Sequence, residues 1–260
     1  MKAVAAFLLV LCCLAVSDAW NCVEAPRLYN AHQIDAGMGQ VVATDRYKRV
    51  YFLSGSSWYR LGTYSIQHVT VGPSGTWGTY LNRVYKYVAG NFKLANGVGL
   101  LQVDAGGDGQ VVGVGPSPYR AYCLRESYAL GYTGVGSVSW SYLSRLLKYY
   151  SCGPRYGCWG IDTRSRVYVT KYITPASCST SRWTYVSGLS LKMIEVGTDG
   201  SVFGVTTTGK VYQRSGISSS RREGRSWVYI PMCMPIKHVT YDLRQLWVVT
   251  TSGLVMKCSH

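Results

Sequence analysis

This sequence predicts an all-β fold, a six-bladed β-propeller, on three observations. Six copies of one short motif recur along the 260 residues, each an aliphatic or aromatic residue, two positions, and then Gly or, once, Asp. Short apolar runs separated by Gly, Ser, Asn and Asp follow every copy, and no stretch sustains a 3.6-residue period. Strands joined by turns are therefore expected, with little helix. The last copy also stops before its final run, while a matching run stands near the N-terminus.

The copies are Ile34-Asp35-Ala36-Gly37, Val69-Thr70-Val71-Gly72, Val103-Asp104-Ala105-Gly106, Tyr150-Ser151-Cys152-Gly153, Ile194-Glu195-Val196-Gly197 and Val239-Thr240-Tyr241-Asp242, spaced by 34 to 47 residues. A second Gly follows the first five: Gly39, Gly75, Gly109, Gly157 and Gly200. After a loop comes a run with an aromatic, as in Val50-Tyr51, Val84-Tyr85, Ala121-Tyr122, Val167-Tyr168 and Val211-Tyr212, with Val255-Met256 in the sixth copy. Arg49, Arg83, Arg120, Arg166 and Lys210 precede the first five of these pairs. A further run opens on Trp58, Trp140, Trp183 or Trp227, and on Phe92 in the second copy. Four short runs per copy make one propeller blade.

The blades are expected at about 30–65, 66–99, 100–146, 147–190, 191–235 and 236–260 plus 20–25. A sixth blade without its outer strand would present an unpaired edge, and Trp20-Asn21-Cys22-Val23 has the pattern to fill that place. Cys22 and Cys258 then fall together, and a disulfide is predicted between them. All eight tryptophans find a place in the repeat, Trp20, Trp58, Trp140, Trp183 and Trp227 in outer strands and Trp77, Trp159 and Trp247 in second strands. Packing between blades is the ordinary role of such residues.

Composition sets the class. With 47% hydrophobic residues, 15% charged, 29 Gly and 22 Tyr, the chain is globular rather than disordered, collagenous or coiled-coil. Residues 1–19 read as a secretory signal peptide: Lys2, an apolar stretch from Ala3 to Val16, and the small residues Ser17-Asp18-Ala19. That stretch is too short to span a bilayer. Cleavage would remove one charge of each sign, so the net charge stays at +15 and the surface should attract anions. Sulfated glycans and phosphorylated bacterial glycolipids suit a secreted address better than nucleic acid does. Seven cysteines would remain, which in an oxidising compartment suggests three disulfides and one further thiol. No Cys-x-x-Cys and no spacing among His32, His68, His238 and His260 suggests zinc.

Odd and even copies differ. After the aliphatic residue the odd copies carry an acid, Asp35, Asp104 and Glu195, and the even ones a hydroxyl, Thr70, Ser151 and Thr240. Second strands alternate likewise, with Val41-Val42, Val111-Val112 and Val202-Phe203 against Trp77-Gly78, Trp159-Gly160 and Trp247-Val248. A pyranose needs an aromatic against its apolar face and polar groups for its hydroxyls. Clefts between blades would supply both if Trp77 faced Asp104 and Trp159 faced Glu195, with Trp247 and Asp35 as a degenerate third site. The alternative is that the alternation serves packing between blades, or that the acids line the central tunnel. Three acids near the axis could favour a structural calcium ion there, although no EF-hand-like loop is present. No other cofactor is required.

These repeats resemble tectonin repeats, most closely in Ile194 to Arg214 with Trp227-Val228-Tyr229-Ile230, and in Val69 to Tyr87. The signal peptide, the Trp-Asn-Cys start and the cysteine-rich array resemble the fish-egg lectins, relatives of the tectonin-type tachylectins of horseshoe crabs. The resemblance implies a secreted, multivalent lectin for N-acetylglucosamine and bacterial surface glycans such as lipopolysaccharide, acting as a small homo-oligomer in egg or innate defence. Two other readings compete. A glycosidase would need two carboxylates about 5 to 10 Å apart, and no catalytic motif appears. A heparin-like polyanion binder is compatible with the charge, and Arg221-Arg222-Glu223-Gly224-Arg225 is the densest basic cluster.

Overall fold

The computed structural model describes residues 20–260; the expected signal peptide at 1–19 lies outside them. After β1 (Asn21–Glu24), the chain builds six four-stranded antiparallel sheets. Blade 1 holds β2 (Ala31–Gly37), β3 (Gln40–Asp45), β4 (Val50–Ser54) and β5 (Ser57–Arg60). Blade 2 holds β6 (His68–Gly72), β7 (Gly75–Tyr80), β8 (Arg83–Val88) and β9 (Asn91–Leu94). Blade 3 holds β10 (Gln102–Asp104), β11 (Val111–Val114) and β12 (Arg120–Leu124), then a short helix α1 (Glu126–Gly131) and β13 (Trp140–Leu146). Blade 4 holds β14 (Tyr149–Gly153), β15 (Gly157–Ile161), β16 (Arg166–Thr170) and β17 (Trp183–Ser190). Blade 5 holds β18 (Met193–Val196), β19 (Val202–Val205), β20 (Val211–Arg214) and β21 (Trp227–Ile230). Blade 6 holds β22 (Ile236–Asp242), β23 (Gln245–Thr250) and β24 (Val255–Ser259), and β1 pairs with β24 as its outer strand. The first described strand therefore closes the ring.

Inner strands are buried on both faces, as in β11 and β18, whereas outer strands such as β21 bury only part of their residues. Second strands, packed between neighbouring blades, accordingly read as continuous apolar runs. Apolar clusters join adjacent blades; Trp77 and Val84 of blade 2 pack with Leu100, Val103, Val111 and Leu124 of blade 3.

The two motif glycines answer different needs. Gly75, Gly109 and Gly157 turn the chain at positive φ of 96°, 90° and 91°, which an L side chain resists. The first Gly of each copy marks where the next blade's backbone crosses. A Cβ on Gly72 would stand 1.7 Å from the Ala105 carbonyl oxygen, and one on Gly37 2.5 Å from that of Val71. Gly72→Ala must push blades 2 and 3 apart, and we expect a loss of about 1–3 kcal/mol of stability. Urea unfolding measures it, and an unchanged midpoint would mean that the crossing is loose.

Three disulfides fasten the ring. Cys22–Cys258 ties β1 to β24 directly across the ladder, Cys152–Cys158 crosses the β14–β15 hairpin, and Cys123–Cys178 links blade 3 to the loop before β17. The seventh cysteine, Cys233, is exposed in the loop before β22.

Candidate functional site

The acids and hydroxyls that alternate along the sequence meet at the ring axis, where they join blades. Asp35 accepts from the Val71 N–H at 2.7 Å, and Asp104 from the Cys152 N–H at 3.1 Å. The even blades answer in the same sense: the hydroxyls of Thr70, Ser151 and Thr240 accept from the N–H groups of Ala105, Val196 and Ala36 at 3.0, 3.0 and 2.9 Å. Thr240 Oγ1 also lies 3.3 Å from Glu195 Oε1 and 3.4 Å from Asp35 Oδ1. One layer further along the axis, Gln33 and Gln102 each clamp the next blade through both N–H and C=O, at Val69 and Tyr150. Blade 5 has Met193 in that position. His68, Tyr149 and His238 of the even blades meet there, the Tyr149 hydroxyl lying 3.2 and 2.9 Å from the two imidazole Nε2 atoms.

Burial decides the charge state of this plug. It raises the carboxyl of Asp35 to about 6, and that of Asp104, with help from the Asp35 charge, to about 7. Glu195 is pushed well above the usual carboxylate range by burial and by both aspartates. Burial lowers His68 to about 3 and takes His238 well below its ordinary value. The carboxyl oxygens of Asp35 and Asp104 already accept bonds from neighbouring blades. Among the described residues, no three His, Cys, Asp or Glu are grouped to hold a metal ion.

The Trp–acid clefts expected from the sequence do not form at the first two positions. Trp77 and Trp159 are fully buried, while Asp104 and Glu195 face the axis. Over Trp77 lies the segment containing α1: Tyr132 stands 6.2 Å from the indole, and Lys86, 5.3 Å above it, donates to the carbonyls of Ala129 and Tyr132. Over Trp159 lie Trp227, at 6.2 Å, and Ile217 from the loop 215–226. Both roofs are long connections between the third and outer strands of the next blade, 125–139 in blade 3 and 215–226 in blade 5.

Trp247, expected to mark a degenerate site, is the one of the three that borders an open cleft. The next blade is blade 1, whose corresponding connection is the two-residue turn Gly55-Ser56, too short to reach over it. The cleft holds about 260 Å³, with Val41, Leu53 and Trp247 as apolar walls and Asp242, Gln245 and Lys257 at the polar margin. Lys257 Nζ stands 5.8 Å from the indole centroid. The acid here is Asp242, the residue that replaces the motif Gly in the sixth copy, and it accepts from the Gly39 N–H at 2.8 Å and from the Thr198 hydroxyl. Asp35 belongs to the axis instead. Loop length was the signal that could have identified the open cleft.

A family model for the tectonin domain matches residues 30–251. The fish-egg lectin of Cyprinus carpio is 41% identical over 159 residues, 60% of this chain and 65% of the carp protein. The chain thus spans just under two thirds of that relative's length. Among solved structures, the fold is similar to a gluconolactonase from Xanthomonas campestris, with a TM-score of 0.69 at 12% identity over 92% of this chain and 89% of that one. YCF48 from Cyanidioschyzon merolae superposes with a TM-score of 0.58 at 12% identity, over 90% and 84% of the two chains. At such identities the two structures speak for the fold alone.

Proposed function

This chain belongs to the tectonin family, and on that premise we propose that it is a secreted lectin that binds N-acetylglucosamine in the Trp247 cleft. The carp relative's name supports the lectin reading, and three disulfides suit an oxidising, extracellular compartment. The observation that carries the site is the open cleft at ring closure, whose apolar wall and polar margin match the two sides of an acetylated pyranose. Asp242, Gln245 and Lys257 offer the acceptor and donor groups that the hydroxyls and acetamide require.

A single small site gives modest affinity, so retention on a bacterial surface would rest on self-association into a small oligomer and on attraction of the basic chain to lipopolysaccharide phosphates. The carboxyls that converge in this fold are buried at the axis and hold blades together, so binding without hydrolysis is the consistent reading; chitin oligosaccharides should emerge from incubation unshortened.

The test is adsorption to an N-acetylglucosamine column in high salt and elution with the free sugar. We expect retention, and at least a tenfold weaker affinity in Trp247→Ala. A folded Trp247→Ala protein with full affinity would move the site elsewhere, and flow-through of the parent protein would overturn the lectin assignment.

A further inference from the structure

We propose that the rim of the ring carries two opposed grooves for tetrahedral oxyanion esters, phosphate or sulfate, built from arginines of successive blades. The first lies between blades 3 and 4. Arg145, from the outer strand β13, lies over the Tyr168 ring of blade 4, its guanidinium carbon 3.5 Å from the centroid. Arg164 and Arg166 flank it across a groove of about 410 Å³. Asp162 is the acid of this groove, and its acceptor sites are filled from inside: it takes the Arg164 and Arg166 N–H groups at 2.9 Å and the Arg166 guanidinium at 2.7 Å. An anion in the groove therefore meets guanidinium edges rather than carboxylate lone pairs. Two of the three arginines are held in place before it arrives, one by stacking and one by its ion pair, which suits the fork geometry of bidentate oxyanion binding.

The second groove repeats the plan three blades away, across the ring. Between β1 and β2, Arg27 stacks on Tyr29 at 4.8 Å, and Arg49 lies beside Tyr51. Asp45 takes the Tyr47 and Arg49 N–H groups at 2.9 Å and the Arg49 guanidinium at 2.6 Å, as Asp162 does in blade 4. This groove holds about 370 Å³, with the hydroxyl residues Ser56 and Ser57 at its side. The recurrence of a saturated acid, its arginine, and a second arginine stacked on Tyr argues for a built site rather than a chance surface cluster. Arg221 and Arg222, the densest basic run of the sequence, sit in a turn with Glu223 close by. Opposed grooves would let one molecule bridge two polyanion chains. The sites are separate from the Trp247 cleft and stand or fall without it.

The test is titration of the full mature chain with tripolyphosphate and with a heparin-derived hexasaccharide at low salt, read by calorimetry. Two equivalents per chain are expected, with affinity falling steeply as salt rises. Arg145→Ala with Arg164→Ala should reduce the count to one, and adding Arg27→Ala should weaken what remains at least tenfold. Arg221→Ala with Arg222→Ala, and Trp247→Ala, should leave both within twofold. Near-UV circular dichroism confirms that each variant keeps its packing. Binding of tripolyphosphate alone would identify phosphate esters as the source, and binding of the hexasaccharide alone, sulfate esters. An unchanged count in the Arg145 and Arg164 variant, or loss of binding in the Arg221 and Arg222 variant, overturns the proposal.

Discussion

Removal of the Cys22–Cys258 bridge by double alanine substitution should lower the stability of the folded ring by about 5 kcal/mol, since the two cysteines are 236 residues apart. In the chain-entropy account, a cross-link stabilises by restricting the unfolded chain, and the gain grows with the logarithm of the loop it closes. Cys152–Cys158 closes a separation of only 6 residues, for which the same relation gives about 2 kcal/mol. The larger effect has a structural consequence too. β1 is a four-residue strand held by its ladder with β24, so without the bridge its fraying would expose the edge of β24 and start the opening of the ring. Urea titrations of the two double variants provide the comparison. Equal losses in both would mean that the closure strand holds the ring without its bridge.

Asp104→Asn should stabilise the protein at pH 8 and leave it nearly unchanged at pH 4. The carboxyl stands at about 7 in the folded ring against an ordinary value of 3.8, because burial, and next the charge of Asp35, disfavour its ionised form. A folded-state value above the unfolded one means a contribution fully present below about pH 4 and lost as pH rises through about 7. Three units correspond to about 4 kcal/mol, an upper figure for what the neutral amide would restore at pH 8. The amide oxygen can still accept from the Cys152 N–H, so the clamp between blades 3 and 4 survives. Asp35, at about 6, acts in the same direction. His68 and His238 oppose it: their lowered values give a contribution present above about 6.5 and lost on acidification, for His68 towards about 3. The carboxyl contribution therefore falls away between about pH 4 and 7 while the histidine contribution builds up over the same range, and Asp104→Asn removes the first without touching the second. Thermal melts across pH 3–9 of the parent and of Asp104→Asn decide it. Curves that run parallel between pH 4 and 7 would show that Asp104 is ionised without penalty in the native ring.

What the sequence determined by itself is the scaffold. Blade number, strand order and closure by Trp20–Val23 follow from local signals: short apolar runs between turn residues, glycines where the chain must turn, and a missing last run matched at the other end. Such features depend on a residue and its near neighbours, so they are visible without the fold. Even the alternation of acid and hydroxyl in Asp35, Thr70, Asp104, Ser151, Glu195 and Thr240 was legible as a pattern. Its meaning was not. In a strand, the side chain two positions before the Gly can face the axis or a flanking cleft, and only closure of the ring put these on the axis, where each accepts or shares a hydrogen bond across a blade boundary. The three tryptophans show the same limit. Trp77, Trp159 and Trp247 occupy equivalent places in the repeat, yet whether a ligand can reach them depends on what the next blade lays over them. A helix-bearing loop of blade 3 and the long loop of blade 5 cover two; the two-residue turn of blade 1 leaves the third beside an open cleft. Repetition in sequence makes the positions alike, and the tertiary structure makes them unlike, because access to a cleft is a property of two blades and not of one.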